Sequence, residues 1–226
     1  MPLYAWESEE LLRLYTTLNQ VELLTSSRED HLKWLACPSG KFSVSSLYNL
    51  LMPKNYMMVP KLLWNNMAPP KVQFLSWLTW KGRLKTAGFL NRIGVLNQNT
   101  FVNCVFCGQA VETVNHVLLW CPAVWKVWAC LMNWWGVLWV IPDNVNGLLQ
   151  WWRGYKWRKF ENIIWKAIPM AVMWSLWNTR NDVVFNGKMF QLNELCELIK
   201  VRIALWVKSQ SKEPPYSVQD IIINLQ

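Results

Sequence analysis

The sequence predicts a mainly α-helical protein. We expect a small helical domain in its first half, a short β-hairpin near the N-terminus and a tryptophan-rich helical region after the domain. Apolar residues recur at helical spacing through most of residues 113–226, which is the main ground for this prediction. Hydrophobic residues make up 53% of the 226 positions and charged residues 16%, so the chain can bury a core and is not expected to be disordered.

The N-terminal flank predicts one helix and one hairpin. Ser8 can cap an amphipathic helix over residues 8–19. Two short strand candidates follow at residues 31–36 and 41–43, and the turn residues Pro38-Ser39-Gly40 join them. We therefore expect a short β-hairpin at this position.

Short helices are predicted through the middle of the chain. Ser43 and Thr86 can each cap a helix, and Pro69-Pro70 suits a first helical turn, where proline's missing N–H costs nothing. Gly94 ends the last of these helices. The helices are expected at residues 43–52, 69–80 and 86–94.

Longer helices are predicted from residue 113 onward. The long uncharged stretch Val127–Ile141 is shorter than the roughly 20 residues needed to span a bilayer, so we interpret it as a core helix, and a membrane is the least favoured partner. The helices are expected at residues 114–120, 122–135, 144–153, 158–184, 191–209 and 217–225.

Composition and motifs divide the chain into four expected segments. Pro214-Pro215 marks the clearest linker. The segments are an N-terminal helix and hairpin flank at 1–40, a domain at 41–130, a tryptophan-rich helical connector at 131–211, and a linker with a C-terminal helix at 212–226.

Positive charge is concentrated in one part of the chain. In total, 23 basic and 14 acidic residues give a net charge of +9. Residues 31–111 alone contain nine basic residues and no acidic residue, which equals the whole net charge. A polyanion is therefore the first partner to consider.

The N-terminus and the cysteines indicate a reducing compartment. Residues 1–10 contain three glutamates and neither a basic start nor an apolar core, so they do not form a secretory signal. Six unevenly spaced cysteines are too sparse for a disulfide scaffold. We expect an intracellular protein, in the nucleus or the cytoplasm, that is not secreted.

Four residues have the spacing of a metal site. Cys104, Cys107, His116 and Cys121 form a C-x2-C-x8-H-x4-C series, which supplies the three thiolates and one imidazole of a closed, tetrahedral structural zinc site. The alternative is a group of buried cysteines beside an incidental histidine. We favour one structural Zn²⁺, and hence a small zinc-knuckle helical domain. Cys37, Cys130 and Cys196 have no such companions and are expected to be ordinary thiols.

The last two ligands raise a geometric problem. On an ideal α-helix, residues five apart point about 140° away from each other, so His116 and Cys121 cannot face one metal ion while both are helical. Pro122 offers a solution, because the residue before a proline is pushed out of the α region. We expect Cys121 to leave the helix and turn back towards the metal.

A longer series of residues gives a family resemblance. Together they resemble the zinc-binding domain of reverse transcriptases, which lies downstream of the polymerase in non-LTR (LINE-type) retrotransposons abundant in plant genomes. The resemblance covers about residues 41–130. The residues that carry it are Gly40-Lys41-Phe42-Ser43-Val44, Ser46, Tyr48, Trp64, Pro69-Pro70-Lys71-Val72, Phe74, Trp77, Gly82-Arg83-Leu84, Leu90, Gly94, Cys104, Cys107-Gly108, Glu112-Thr113, His116, Cys121 and Trp128.

The resemblance implies a fragment of a retroelement polyprotein. In the family a polymerase precedes the domain and an RNase H often follows it, and neither fits in this chain. The resemblance therefore implies a solitary fragment whose partners are RNA or DNA and a reverse transcriptase polymerase domain. Val105 stands where the family often has proline, which leaves the ligand set undisturbed.

The sequence lacks the groups of the family's catalytic domains. Polymerase and RNase H both need clustered carboxylates that hold two Mg²⁺ ions. Residues 31–111 contain no carboxylate, and no Tyr-x-Asp-Asp motif occurs. We expect a protein that is not an enzyme and has no small-molecule substrate.

Two basic and aromatic segments are candidates for nucleic-acid binding, since such mixtures neutralise phosphates and stack on bases. The alternative for both is a solvated basic face around core tryptophans. The first segment contributes Lys71, Lys81, Arg83, Lys85 and Arg92, and the second contributes Arg153, Lys156, Arg158 and Lys159.

The sequence is compatible with three functions. The first is a non-catalytic, zinc-stabilised module that binds RNA or DNA. The second is a structural or protein-interaction remnant of a retroelement polyprotein. The third is peripheral membrane binding through the tryptophan-rich residues 127–166.

Overall fold

The computed structural model describes residues 4–20, 32–51, 61–64, 67–97, 99–210 and 217–223. Helices dominate this part of the chain, and β-pairing within it is limited to one isolated antiparallel bridge between Asn103 and Val111. The prediction of a mainly α-helical protein is confirmed. The chain forms two compact units, Met1–Met57 and Met58–Gln226.

In residues 4–20 and 32–51, which are the described part of the first unit, the chain forms helix α1 at Ala5–Gln20 and helix α2 at Val44–Leu51. Helix α1 begins at Ala5, about one turn before the expected cap at Ser8. The Glu7 carboxylate accepts the Tyr4 N–H at 2.9 Å and so caps the helix at Tyr4. The cap of α2 is as predicted. The Ser43 hydroxyl accepts the Ser46 N–H at 3.1 Å.

The expected N-terminal hairpin is not formed by the described residues 32–43. They make a turn closed by a hydrogen bond from the Trp34 N–H to the Gly40 carbonyl, at 2.8 Å, with no strand on either side. Ser43 already caps α2, so only Lys41 and Phe42 remain for a second strand. Two residues are too few for a β-ladder. His31, the first residue of the predicted hairpin, lies outside the described residues.

The second unit is a helical assembly close to the predicted one. Its turns and helix ends use the expected residues: Pro70 opens α3, Thr86 accepts the Phe89 N–H at the start of α4, and Gly94 has a φ of 73° after α4. The α-helices are α3 at Pro70–Trp80, α4 at Ala87–Arg92, α5 at Pro122–Trp135, α6 at Val145–Gly154, α7 at Lys159–Asn186, α8 at Leu192–Gln210 and α9 at Val218–Ile223.

Helix α7 runs through the core of this unit and packs against α3 and α8. The C-terminal part of α6 contacts the N-terminal half of α7 through the stacked indoles of Trp152 and Trp165, whose ring centroids are 4.3 Å apart. The Trp152 Nε1–H donates to the Trp165 carbonyl at 2.7 Å, and the Trp165 Nε1–H donates to the Trp152 carbonyl at 3.1 Å. Both side chains are buried with their polar atoms satisfied, so this pair fixes α6 against α7.

The core is continuous from the cysteine segment to the C-terminal helices. Cys104 and Cys121 belong to the same buried cluster as Trp128 of α5, Ile168 of α7 and Ile203 of α8. The cysteine segment is thus held by the helical core. Within the described part of the chain, no helix combines the length and apolar character that crossing a bilayer requires.

Candidate metal centre

The first two cysteines lie on a tight knuckle. The Cys104 N–H donates to the Ala110 carbonyl at 2.7 Å, and the Gly108 N–H donates to the Cys104 carbonyl at 2.7 Å. Gly108 has a φ of 69°, a left-handed conformation that favours glycine. The chain therefore reverses within C-x2-C-G, which brings the side chains of Cys104 and Cys107 to the same side.

The last two ligands are brought together by a π-helical turn. Residues His116–Trp120 form this turn, and the Cys121 N–H donates to the His116 carbonyl at 2.8 Å. An i→i+5 hydrogen bond returns the chain to the same side after five residues, which an α-helix does not do. Cys121 itself has φ −59° and ψ 130°, outside the α region. Its predicted departure from the helix before Pro122 is confirmed, whereas the π turn was not expected.

The four side chains converge on one point. Their ligand atoms all lie within 4.8 Å of one another. Cys104 Sγ and Cys121 Sγ are 3.8 Å apart, and Cys107 Sγ and His116 Nε2 are 3.3 Å apart. Around a tetrahedral Zn²⁺ with Zn–S near 2.3 Å and Zn–N near 2.0–2.1 Å, these separations would be about 3.8 Å and about 3.6 Å. The observed donor set and spacing fit such an ion.

The electrostatics of the cluster favour two of the forms that bind metal. A hydrogen bond from the Cys104 thiol lowers the pKa of Cys121. The same hydrogen bond raises the pKa of Cys104, and burial raises it further. Burial lowers the pKa of His116, and the Glu112 carboxylate opposes this only in part. A neutral imidazole and a thiolate are the forms that ligate a metal ion.

A buried ion pair ties the knuckle to α7. Glu112 is fully buried and accepts from Arg180 at 3.0 Å through Nε and at 2.8 Å through Nη2, and its carboxylate also accepts the Ala87 N–H at 2.8 Å. Its carbonyl accepts the Gly88 N–H at 3.0 Å. Glu112 thus joins the start of α4, the cysteine segment and α7.

The ion pair between Glu112 and Arg180 was not predicted from the sequence. One signal was present. Glu112 is the first acidic residue after the acid-free residues 31–111, and it directly precedes the capping Thr113. An isolated carboxylate among core residues predicts a buried cationic partner, because an unpaired buried charge is strongly destabilising.

The comparisons with known proteins agree with this geometry. Residues 42–128 match the family model described as zinc-binding in reverse transcriptase. The chain contains a reverse transcriptase zinc-binding domain. The match nearly coincides with residues 41–130, over which the resemblance is visible in the sequence.

One relative extends beyond the zinc-binding domain. A protein of Arabidopsis thaliana named "Putative ribonuclease H protein" is 26% identical over 178 residues, which cover 73% of this chain. The chain spans only 27% of that relative's length. No solved structure matches the chain.

The other three cysteines lie outside the ligand cluster. Cys37 is in the first unit, where it contacts the Ser39 hydroxyl at 3.1 Å. Cys196 of α8 is buried, and its burial together with a hydrogen bond to Cys130 raises its pKa to about 12. Cys130 and Cys196 thus contact each other and are not members of the candidate ligand set.

The first basic segment does not form one continuous helix. Helix α3 ends at Trp80, and Gly82 has a φ of 63°. Two of the cations lie over aromatic rings of the same unit: Lys71 is 5.3 Å from the Trp174 ring, and Lys81 is 4.6 Å from the Trp80 ring. Exposed side chains are Lys71, Arg83, Lys85 and Arg92, whereas Lys81 is half-buried.

The second basic segment divides into core aromatics and exposed cations. Trp152 and Trp165 are buried, and Trp151 and Trp157 are half-buried, so the core alternative is confirmed for the two buried indoles. Tyr155 remains 36% exposed. The exposed cations are Arg153, Lys156 and Arg158, while the side chain of Lys159 lies outside the described residues.

Proposed function

We propose that this protein is a non-catalytic, zinc-stabilised module derived from a LINE-type reverse transcriptase, and that it binds RNA or DNA. The observation that carries the proposal is the convergence of Cys104, Cys107, His116 and Cys121 on one point within a domain of this family. These four residues hold one structural Zn²⁺. The ion supplies a tetrahedral cross-link between the knuckle and the π turn.

A closed ligand set supports the non-catalytic part of the proposal. Three thiolates and one imidazole fill the tetrahedral sphere, which leaves no position for an activated water. The zinc therefore organises the fold instead of carrying out a reaction. Thiolate ligands also need a reducing compartment, so we place the protein in the nucleus or the cytoplasm.

Exposed cations support nucleic-acid binding. Arg83, Lys85, Arg153 and Lys156 are exposed and make no ion pair or hydrogen bond through their side chains with any described residue. Exposed cations without acidic partners keep their full charge available to phosphates, whose neutralisation releases counterions. Such contacts position a strand and carry no sequence information of their own.

The test is a titration of fluorescently labelled single-stranded RNA and DNA at several salt concentrations. We expect the logarithm of the binding constant to fall linearly with the logarithm of salt. The double variant Arg83→Gln/Lys85→Gln should bind more weakly, with a slope lower by about 1 to 2. The control is Lys126→Gln/Lys208→Gln, which removes the same charge from exposed positions on α5 and α8. Equal binding by both variants would contradict the assignment of the first basic segment.

A second candidate function rests on α1. Its 16 residues include no buried side chain, and Trp6, Leu12, Tyr15 and Leu18 are each more than half exposed. Exposed apolar residues of this kind mark protein contacts. We propose as the alternative that α1 docks on the polymerase domain of a reverse transcriptase.

Deletion of this helix distinguishes the two candidates. Removing residues 1–20 should abolish co-purification with a co-expressed reverse transcriptase polymerase domain, and nucleic-acid affinity should stay unchanged. Co-purification that survives the deletion would contradict the alternative.

A further inference from the structure

A small cavity lies between α6 and α7, in the second unit and outside the metal cluster. Its volume is about 270 Å³, just below the roughly 300–1,000 Å³ of pockets that hold drug-sized ligands. The cavity therefore suits one ring of a ligand whose other groups lie at its rim. Its lining residues are Leu62, Trp152, Arg153, Tyr155, Asn162, Trp165 and Lys166.

The wall of this cavity is apolar and aromatic. Leu62, Trp152 and Trp165 are buried, and each indole N–H donates a hydrogen bond to the carbonyl of the other tryptophan. Tyr155 lies 5.4 Å from the Trp165 ring, between centroids, and is partly exposed. A flat ligand entering here would contact the exposed part of the Tyr155 ring and would not displace an indole hydrogen bond.

The rim of the cavity is rich in hydrogen-bond donors. Arg153 and Lys166 are exposed cations, Asn162 is half-buried, and the side chains of all three make no hydrogen bond with any described residue. None of the lining residues is acidic. With Arg153 and Lys166 beside aromatic residues, the cavity favours a ligand that combines a flat ring with negative charge.

We propose that this cavity binds the nucleoside monophosphate unit of a single-stranded nucleic acid. The base lies against Tyr155 and the cavity wall, Asn162 pairs with its edge, and Arg153 and Lys166 hold the phosphate. The proposal rests on the proposed function insofar as the nucleotide belongs to a strand. A free nucleotide offers the same chemistry, and the experiment separates the two sources.

The experiment compares wild-type protein with Arg153→Gln/Lys166→Gln and with the charge-matched control Lys126→Gln/Lys208→Gln. The probe is a labelled oligouridine of about twelve nucleotides that carries one 4-thiouridine. We expect the cavity variant to bind about tenfold or more weakly than the control, with a salt slope lower by about one. In the wild type, photo-cross-links should map to residues 152–166.

A second variant keeps the test independent of folding. Asn162→Asp removes a donor and adds a negative charge, and its thermal unfolding can be compared directly with the wild type. A folded Asn162→Asp protein should lose both the cross-link and the affinity. If it cross-links as the wild type does, the cavity proposal is overturned.

The remaining outcomes separate this proposal from the proposed function. Strong binding that is equal in the cavity variant and the control, with cross-links elsewhere, overturns the cavity but leaves nucleic-acid binding intact. If no oligonucleotide binds to the wild type, uridine monophosphate is titrated alone. Binding of the mononucleotide that Arg153→Gln/Lys166→Gln abolishes supports the cavity with a free nucleotide as its ligand, and absence of binding overturns the cavity as well.

Discussion

Breaking the buried ion pair between Glu112 and Arg180 should strongly destabilise the second unit. The variant Arg180→Met removes two hydrogen bonds, of 3.0 and 2.8 Å, and leaves the Glu112 carboxylate fully buried with one donor, the Ala87 N–H. Removing one partner of a buried ion pair costs about 3–5 kcal/mol. For a chain of this size, that cost lowers the melting temperature by about 6–20 °C.

The assay is urea unfolding in the presence of zinc, carried out as a double-mutant cycle. The variants are Arg180→Met, Glu112→Gln and the double variant. The double variant has no uncompensated buried charge, so we expect it to be less destabilised than the sum of the single variants, with a coupling energy of about 1–3 kcal/mol. A cost below about 1 kcal/mol for Arg180→Met, or additive single effects, would show that the buried ion pair does not stabilise the fold.

Three further predictions concern the local structure. Cys107→Ser should remove one zinc ligand and increase amide hydrogen exchange across residues 100–125, because structural zinc affinity is folding free energy; unchanged protection there would contradict this. Gly88→Ala should destabilise the protein by about 1–3 kcal/mol in urea unfolding, since the added Cβ would lie 2.7 Å from the Glu112 carbonyl oxygen; an unchanged midpoint would show that this contact relaxes freely. Trp152→Phe should cost about 1–3 kcal/mol, because it leaves the buried Trp165 carbonyl unpaired, and calorimetry should show a lower melting temperature; wild-type stability would argue against this indole pair.

The order of helices could be predicted from the sequence because their signals are local. Thr86, Pro70 and Gly94 act within one turn of their own position, and each is found in the predicted role. The described residues 32–43 show the limit of such signals. A turn tripeptide predicts a reversal of the chain, but a hairpin also needs strand length on both sides, and the cap at Ser43 removes it.

The candidate metal site could be predicted in its composition but only partly in its geometry. The ligand types and spacing indicate four donors, and Pro122 indicates an extended Cys121. The π turn and the pairing of Glu112 with Arg180 depend on packing against α7, which lies far away in the sequence. No local pattern specifies which distant cation meets a buried carboxylate.

The same distinction applies to the basic segments. Spacing alone could not separate tryptophans of the core from aromatic residues that face solvent. Trp152 and Trp165 are buried and donate to each other's backbone carbonyls, whereas Tyr155 is partly exposed. Only the exposed members of such a run are available to a base.

Native mass spectrometry of protein purified without chelators shows whether the four side chains hold one zinc ion. Cys104→Ser removes a ligand, and Cys37→Ser serves as the matched control because Cys37 lies outside the cluster. We predict one zinc per chain in the wild type and in Cys37→Ser, and loss of the ion in Cys104→Ser. A folded wild-type protein without zinc, or a Cys104→Ser variant that keeps the ion, would show that these four residues do not form a structural zinc site.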